Sequence, residues 1–221
     1  MKFTSGNRKL IVVSHSERVK KEAEAISSLF QMGLKYFHLR KPNWKAEEIE
    51  SLLRNIPKEF HENVILHNHY ELVKIYGLKG VHITQKSKNL GIEENFEGYH
   101  TSVSTHSEDE VLLLDSSYDY AFISPVFSSI SKADYKSGFS INTLGNFFRE
   151  NAINTEIIAL GGITPNNIKS LQNIPFSGYA VLGYLWEDFS KNTDMDNLLK
   201  RFKTLKETVY ELKDKTTENF N

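Results

Sequence analysis

The sequence predicts a closed (β/α)8 barrel, the TIM-barrel class, and three observations carry that prediction. Apolar runs of strand length alternate with amphipathic segments along the whole chain. The alternation continues to an eighth run, which an open doubly wound sheet does not need. Such a sheet usually places a Gly-rich turn after its first strand, whereas Ser14-His15-Ser16 stands there in this chain. The seventh and eighth runs each meet glycine at their carboxyl ends: Ile158-Ala159-Leu160 leads into Gly161-Gly162-Ile163-Thr164-Pro165, and Tyr179-Ala180-Val181-Leu182 leads into Gly183.

The elements follow in order. The first strand is predicted over Leu10–Ser14. Helical spacing of Ala23, Ile26, Leu29 and Phe30 predicts a helix over Glu17–Met32, which Gly33 ends. Strand two covers Tyr36–Arg40 and a helix covers Lys45–Asn55. Strand three covers Val64–His67, with a short helix over Tyr70–Tyr76, and strand four covers Gly80–Ile83. The polar segment Thr84–Tyr99 shows no helical period and predicts an irregular crossover. Strand five covers His100–Thr105 and a helix covers Ser107–Leu114. Strand six covers Tyr120–Pro125, and a long loop over Val126–Ser140 precedes a helix over Ile141–Glu150. Strand seven covers Glu156–Leu160, with a helix over Thr164–Leu171. Strand eight covers Gly178–Leu182. A final amphipathic helix over Met195–Leu212 leaves a polar tail, residues 213–221, expected to fray. No composition break divides the chain, so residues 1–212 read as one barrel domain.

Composition excludes several classes of function. The chain has 221 residues, close to the ~250 of a single barrel. Lys plus Arg (27) nearly balances Asp plus Glu (28), so no basic excess points to nucleic acid. Cysteine is absent, which excludes disulfides and thiolate metal sites. No signal-like run and no apolar stretch near ~20 residues is present, so a cytoplasmic protein without a membrane span is expected.

Barrel chemistry sits at the carboxyl ends of the strands. Gly161 and Gly162 let the backbone approach a phosphate without a Cβ in the way, Thr164 suits a helix cap and Pro165 the first turn. The ordinary alternative is a pair of tight strand-to-helix turns. The other strand ends carry His38-Leu39-Arg40-Lys41, His67-Asn68-His69, His82-Ile83-Thr84-Gln85, Ser104-Thr105-His106-Ser107 and Ser124-Pro125-Val126-Phe127, with Lys132 beyond. None is a carboxylate. Arg40 reads as an anion ligand or a structural cation. Asn68 reads as a ring contact or a strand-end support, and Lys41 as a solvated charge. His106 reads as an acid–base or as a residue packed beside the helix start. His38, His67, His69 and His82 have the chemistry to hold a transition metal, but polar packing in a wet mouth is the commoner use, so no metal ligand is assigned. Tyr184-Leu185-Trp186 reads as core or interface, with a pocket wall as the alternative.

These phrases resemble, in order, those of the thiamine phosphate synthase and TenI thiazole tautomerase superfamily. His38-Leu39-Arg40-Lys41 is similar to its Q-L-R-x-K element, Asn68-His69 to its N-D pair, and Gly80-Val81-His82-Ile83-Thr84-Gln85 to G-V-H-L-G-Q. Val103-Ser104-Thr105-His106-Ser107 is similar to V-S-T/C-H-S/T, Pro125-Val126-Phe127 through Lys132 to P-I/V-F-x-T-x-x-K, and Gly161-Gly162-Ile163-Thr164-Pro165 to G-G-I-T-P. The resemblance implies an enzyme of thiamine biosynthesis that binds a phosphorylated thiazole. It implies phosphate contacts from Gly161, Gly162, Ile163, Leu182 and Gly183. Substrate contacts would come from His38, Arg40, Asn68 and Lys132, and His106 is the expected acid–base.

Synthase members use Mg²⁺ held by two aspartates to join a pyrimidine diphosphate to the thiazole; His69 and Ser87 occupy those positions here. Tautomerase members need no metal. The expected activity is therefore metal-free thiazole tautomerisation by His106, without a cofactor. A diverged synthase is the alternative, with Mg²⁺ and with Arg40, Lys41 and Lys132 offsetting diphosphate charge. A non-catalytic phosphate-ligand sensor is the third. A homodimer is compatible with the sequence but not required by it.

Overall fold

The computed structural model describes residues 8–84, 87, 96–114, 116–128 and 139–217, without the side chains of 213–217. Eight parallel strands close on themselves in chain order. They are β1 (Lys9–Val13), β2 (Tyr36–Leu39), β3 (Val64–Leu66), β4 (Gly80–Ile83), β5 (His100–Thr105), β6 (Tyr120–Ile123), β7 (Glu156–Leu160) and β8 (Gly178–Val181). Pairing of Leu10 with Tyr179 and of Ile11 with Ala180 joins β1 to β8 and completes the ring. The helices are α1 (Glu22–Gln31), α2 (Ala46–Arg54), α3 (Glu71–Tyr76), α4 (Glu108–Leu112), α5 (Ile141–Glu150), α6 (Pro165–Ile168), α7 (Gly183–Asn192) and α8 (Met195–Thr217).

Two-residue alternation along each strand divides the core. Val12, Phe37, Leu39, Val64, Leu66, Val81, Val103, Ala121, Ile157 and Tyr179 belong to the outer layer under the helices. Ile11, Val13, Ile65, Tyr120, Phe122, Ile158 and Ala180 form a separate cluster inside the barrel. His38 and His82, fully buried, and His67, 7 % exposed, fall in the same inner phase. The lumen is thus half apolar and half imidazole and hydroxyl. Gly80 and Gly178 open β4 and β8, where the neighbouring strand backbone leaves no room for a Cβ. A Cβ on Gly80 would lie 1.9 Å from the carbonyl oxygen of His100, and one on Gly178 2.4 Å from that of Lys9.

Many ends shift by one to three residues, and four differences from the sequence expectation are larger. The first helix starts at Glu22 instead of Glu17, because the residues before it face the barrel mouth: the Glu17 carbonyl accepts from Lys41 Nζ and Arg18 stacks on Trp44. The stretch Lys58–Asn63 forms a 3₁₀ turn ahead of β3. Residues 183–192 form α7, which carries Leu185, Trp186 and Phe189 into the core, and Trp186 Nε1 donates to the Val13 carbonyl at 2.8 Å. The final helix runs to Thr217, five residues beyond its expected end at Leu212; Lys213-Asp214-Lys215-Thr216 contains no glycine or proline to stop it. The irregular crossover after β4 and the long loop after β6 fall largely outside the described residues.

Substitution at two glycines should have opposite effects. Gly80→Ala drives a methyl into strand backbone that has no room to yield and should cost about 3 kcal/mol or more. Gly145→Ala lies in α5 with open space around it and should stabilise by about 0.5–1 kcal/mol. Urea denaturation of both variants measures the difference. Equal destabilisation would contradict the packing described.

Candidate active site at the carboxyl ends of the strands

The floor of the mouth is a chain of hydrogen bonds. Ser102 Oγ donates to the Val81 carbonyl at 3.3 Å and meets His82 Nδ1 at 2.9 Å. His82 Nε2 meets Ser104 Oγ at 2.8 Å. Across the lumen, His38 Nε2 meets the Tyr120 hydroxyl at 2.5 Å and His38 Nδ1 meets His67 Nε2 at 2.9 Å. Burial, reinforced by neighbouring imidazoles, pushes His38 and His67 well below the usual histidine range, so both rings are neutral at physiological pH. Burial also pushes the Tyr120 hydroxyl well upward, leaving it a protonated partner for His38. His38 has no exposed surface and both ring nitrogens are engaged. It therefore supports His67 and does not face a substrate at the mouth, in contrast to the substrate contact expected from sequence.

Above this floor, a buried ion pair ties three loops together. Lys41 is fully buried, not solvated as its sequence position suggested. Its Nζ lies 2.7 Å from both carboxylate oxygens of Glu22 on α1. Burial pushes Glu22 up and Lys41 down, while their mutual attraction opposes both shifts. The ammonium also sits over the Trp44 ring at 4.6 Å. From the next loop, Asn68 Nδ2 donates to the Lys41 carbonyl at 3.1 Å, and His69 Nε2 donates to the Trp44 carbonyl at 2.8 Å. This clamp fixes the backbone of Arg40, whose N–H donates to Ser14 Oγ at 2.8 Å and whose side chain is exposed at the mouth. The Arg40 guanidinium is close enough to His67 to contribute to its lowered basicity. Asn68 Oδ1 is buried and finds no donor among the described residues.

On the opposite side of the mouth, His106 follows β5 on the surface. Its Nδ1–H donates to the Ser124 carbonyl at 3.0 Å, which fixes the tautomer and leaves Nε2 with its lone pair. Its backbone N–H is held by Glu110 at 2.7 Å, and Ser107 caps α4. Ser124 leads to Pro125, and the loop beyond rests on the two glycines after β7. Phe127 N donates to the Gly161 carbonyl at 3.1 Å. A Cβ on Gly161 would meet Pro125 Cα at 2.8 Å, and one on Gly162 would meet the Ser128 carbonyl at 2.5 Å. Both glycines have positive φ, 101° and 62°, so glycine is required here twice over. Asn167 Nδ2 binds the Gly162 carbonyl at 2.7 Å and turns that carbonyl toward the helix. The N–H groups of Gly162 and Ile163 have no acceptor among the described residues. Beside them, α7 begins at Gly183 with no side-chain cap at Leu182. Two adjacent strand ends thus carry amides without an acceptor among the described residues, and such amides can bind an anion.

Of the remaining sequence-predicted positions, all but one are placed. Lys132 lies outside the described residues. His69 has a left-handed backbone, φ 54°, and its ring is turned to Trp44. Ser87 Oγ is shared between the Tyr70 hydroxyl at 2.8 Å and Thr84 Oγ1 at 2.9 Å. Trp186 and Leu185 are core.

A family profile described as thiamine monophosphate synthase matches residues 10–185. This chain belongs to that family. It is therefore a member of an enzyme family of thiamine biosynthesis. A thiamine-phosphate synthase of Lysinibacillus sphaericus is 26 % identical over 201 residues, covering 87 % of this chain and 90 % of the relative. The crystal structure of a thiamine phosphate pyrophosphorylase from Bacteroides thetaiotaomicron is 32 % identical, with a TM-score of 0.79 and coverage of 90 % and 96 %. A thiamine phosphate pyrophosphorylase from Pyrococcus furiosus, 18 % identical with a TM-score of 0.71 and coverage of 94 % and 98 %, shares the fold. No helix among the described residues is long and apolar enough to cross a membrane.

The clamp and the lumen of this thiamine-synthase-family barrel both have measurable consequences. Lys41→Met leaves Glu22 buried without its partner and should cost about 3–5 kcal/mol, whereas Glu22→Leu with Lys41→Met should recover most of that loss. Urea midpoints of the single and double variants check this. The histidines make stability depend on pH. The unfolded chain takes up protons near the unperturbed value of 6.5, and the folded rings refuse them. Stability should be full above that value and fall on acidification, by up to about 1.4 kcal/mol per pH unit for each of the two rings. Denaturation of chelator-treated protein between neutral and mildly acidic pH tests this. A stability that stays flat contradicts it.

Proposed function

We propose that this chain is a metal-free isomerase that aromatises a phosphorylated thiazole carboxylate by proton transfer at His106. The observation that carries the reading is the donor set at the two positions where the resemblance places magnesium-binding aspartates. His69 spends its Nε2–H on the Trp44 carbonyl, and the Ser87 hydroxyl is shared between Tyr70 and Thr84. Mg²⁺ is a hard ion that takes oxygen ligands, and an imidazole and an engaged hydroxyl do not fit it. No step is therefore routed through that ion, and the reading requires no resident cofactor.

The remaining parts suit proton transfer. The amides of Gly161, Gly162 and Ile163, together with Leu182-Gly183 at the start of α7, bind the phosphate. Arg40 reaches over the mouth toward the substrate carboxylate. Asn68 makes a polar contact to the ring, and His38 acts through His67. Lys132 is kept as a further contact on the resemblance alone. Held at Nδ1 by Ser124, His106 takes the proton from one position of the thiazole with Nε2 and returns it, as imidazolium, at another. The product is an isomer of the substrate, so no co-reactant is consumed.

A diverged synthase remains the second reading because the relatives carry that name. Its charge balance is weaker than the sequence suggested, since Lys41 is already paired with Glu22. A binder without turnover is the third. His106→Ala decides among them. Turnover of the thiazole carboxylate phosphate should fall by about 10²–10⁴-fold, while calorimetric affinity for the phosphorylated ligand stays near that of the parent protein. An unchanged rate removes His106 from the mechanism, and tight binding with no turnover in the parent protein supports the sensor.

A further inference from the structure

We propose that His38, His67 and His82 form a transition-metal site in the barrel lumen. Among the described residues they are the group of metal-ligating side chains that converges: one donor atom from each lies within 4.8 Å of the other two. They come from β2, the residue after β3, and β4; the register sets Leu66, just before His67, opposite Val81, just before His82, and sets His38 opposite Ile65, two residues before His67. The ring centroids are 4.2 to 5.3 Å apart.

Hydrogen bonds outside the group orient the lone pairs. Ser102 Oγ gives its hydrogen to the Val81 carbonyl, so it accepts from His82 Nδ1–H. Nε2 of His82 then carries a lone pair, at present accepting from Ser104. His38 Nε2 meets the Tyr120 hydroxyl, and in the tautomer that donates there Nδ1 of His38 carries a lone pair aimed at His67. Metal-binding histidines are held in this way, with the outer nitrogen donating to a fixed oxygen and the inner one bare. The ion replaces the hydrogen that His67 Nε2 now gives to His38, and that hydrogen moves to His67 Nδ1. A zinc–nitrogen distance of ~2.0–2.1 Å in a tetrahedral site sets ligand nitrogens ~3.4 Å apart. For this the 2.9 Å pair must open slightly and the other pairs, within 4.8 Å, must close.

The ligand set selects the ion. Three neutral imidazoles with no carboxylate favour Zn²⁺, Co²⁺, Ni²⁺ or Cu²⁺ over Mg²⁺ or Ca²⁺. A fourth position is left for Ser104 Oγ or water. This site is separate from the His69 and Ser87 positions, and the proton transfer at His106 does not depend on it.

Cobalt is the direct probe. Chelator-stripped protein titrated with Co²⁺ should bind one equivalent with the intense visible d–d bands of a tetrahedral centre, and Zn²⁺ should displace it. His38→Gln and His82→Asn should abolish the bands. Tyr120→Phe, which removes an outer partner, should weaken binding about 10–100-fold. His69→Gln and His106→Ala should bind as the parent does, so failure of this site and failure of the proposed activity are read separately. X-ray absorption of the zinc-loaded parent protein needs no variant and should show three imidazole nitrogens. No stoichiometric binding, a pale octahedral cobalt spectrum, fewer than three imidazoles, or binding that survives loss of His38 or His82 overturns the proposal.

Discussion

Closure of the sheet is the constraint on which the rest depends. Once β1 pairs with β8, alternate residues of every strand must point into one narrow lumen with no exit except its two ends. An apolar side chain there needs only volume, but a polar one must find a partner within the same small space. His38, His67, His82, Ser102, Ser104 and Tyr120 meet that requirement collectively. Burial keeps His38 and His67 uncharged, which removes the charge repulsion that three facing cations would otherwise create. The lumen is thus a neutral polar floor under a charged mouth.

The mouth divides into a rigid half and a chemical half. On the β1–β3 side, Lys41 sits beneath Trp44 and binds Glu22, so three loops share one buried point. That pair is weak evidence of net stability, because both groups lose hydration, but its removal by halves is costly. Its structural consequence is that Arg40 leaves the strand from a fixed backbone. On the β5–β8 side, His106, Ser124, Pro125 and the two glycines form a continuous run of contacts. An imidazole of fixed tautomer and an amide cradle are thereby placed on the same loop assembly.

Much of this was legible in the sequence. The strand order, the alternation and the glycine-ended strands rest on local pattern, and β4, β5, α5 and β7 have the predicted ends. The pairing of His106 with a strand end was also visible. What escaped detection depends on contacts across long separations. Lys41 looks like any lysine after an arginine until Glu22, nineteen residues earlier, is brought beneath it by α1. Helix α7 has no polar cap, so Leu182-Gly183 reads as a turn and the helix behind it is missed, although Leu185 and Trp186 read as core or interface and are buried. His38 reads as a substrate contact from its resemblance to the Q-L-R-x-K element, but its hydrogen-bond partners, Tyr120 and His67, lie on other parts of the barrel far along the chain.

The central claim is that this thiamine-synthase-family barrel moves a proton on a phosphorylated thiazole without a divalent ion. The most direct measurement is product analysis with the parent protein, thiazole carboxylate tautomer phosphate and hydroxymethylpyrimidine diphosphate, with Mg²⁺ in one arm and excess chelator in the other. The account predicts aromatised thiazole in both arms at similar rates and no thiamine phosphate in either. Thiamine phosphate that forms with Mg²⁺ and vanishes with chelator would contradict it.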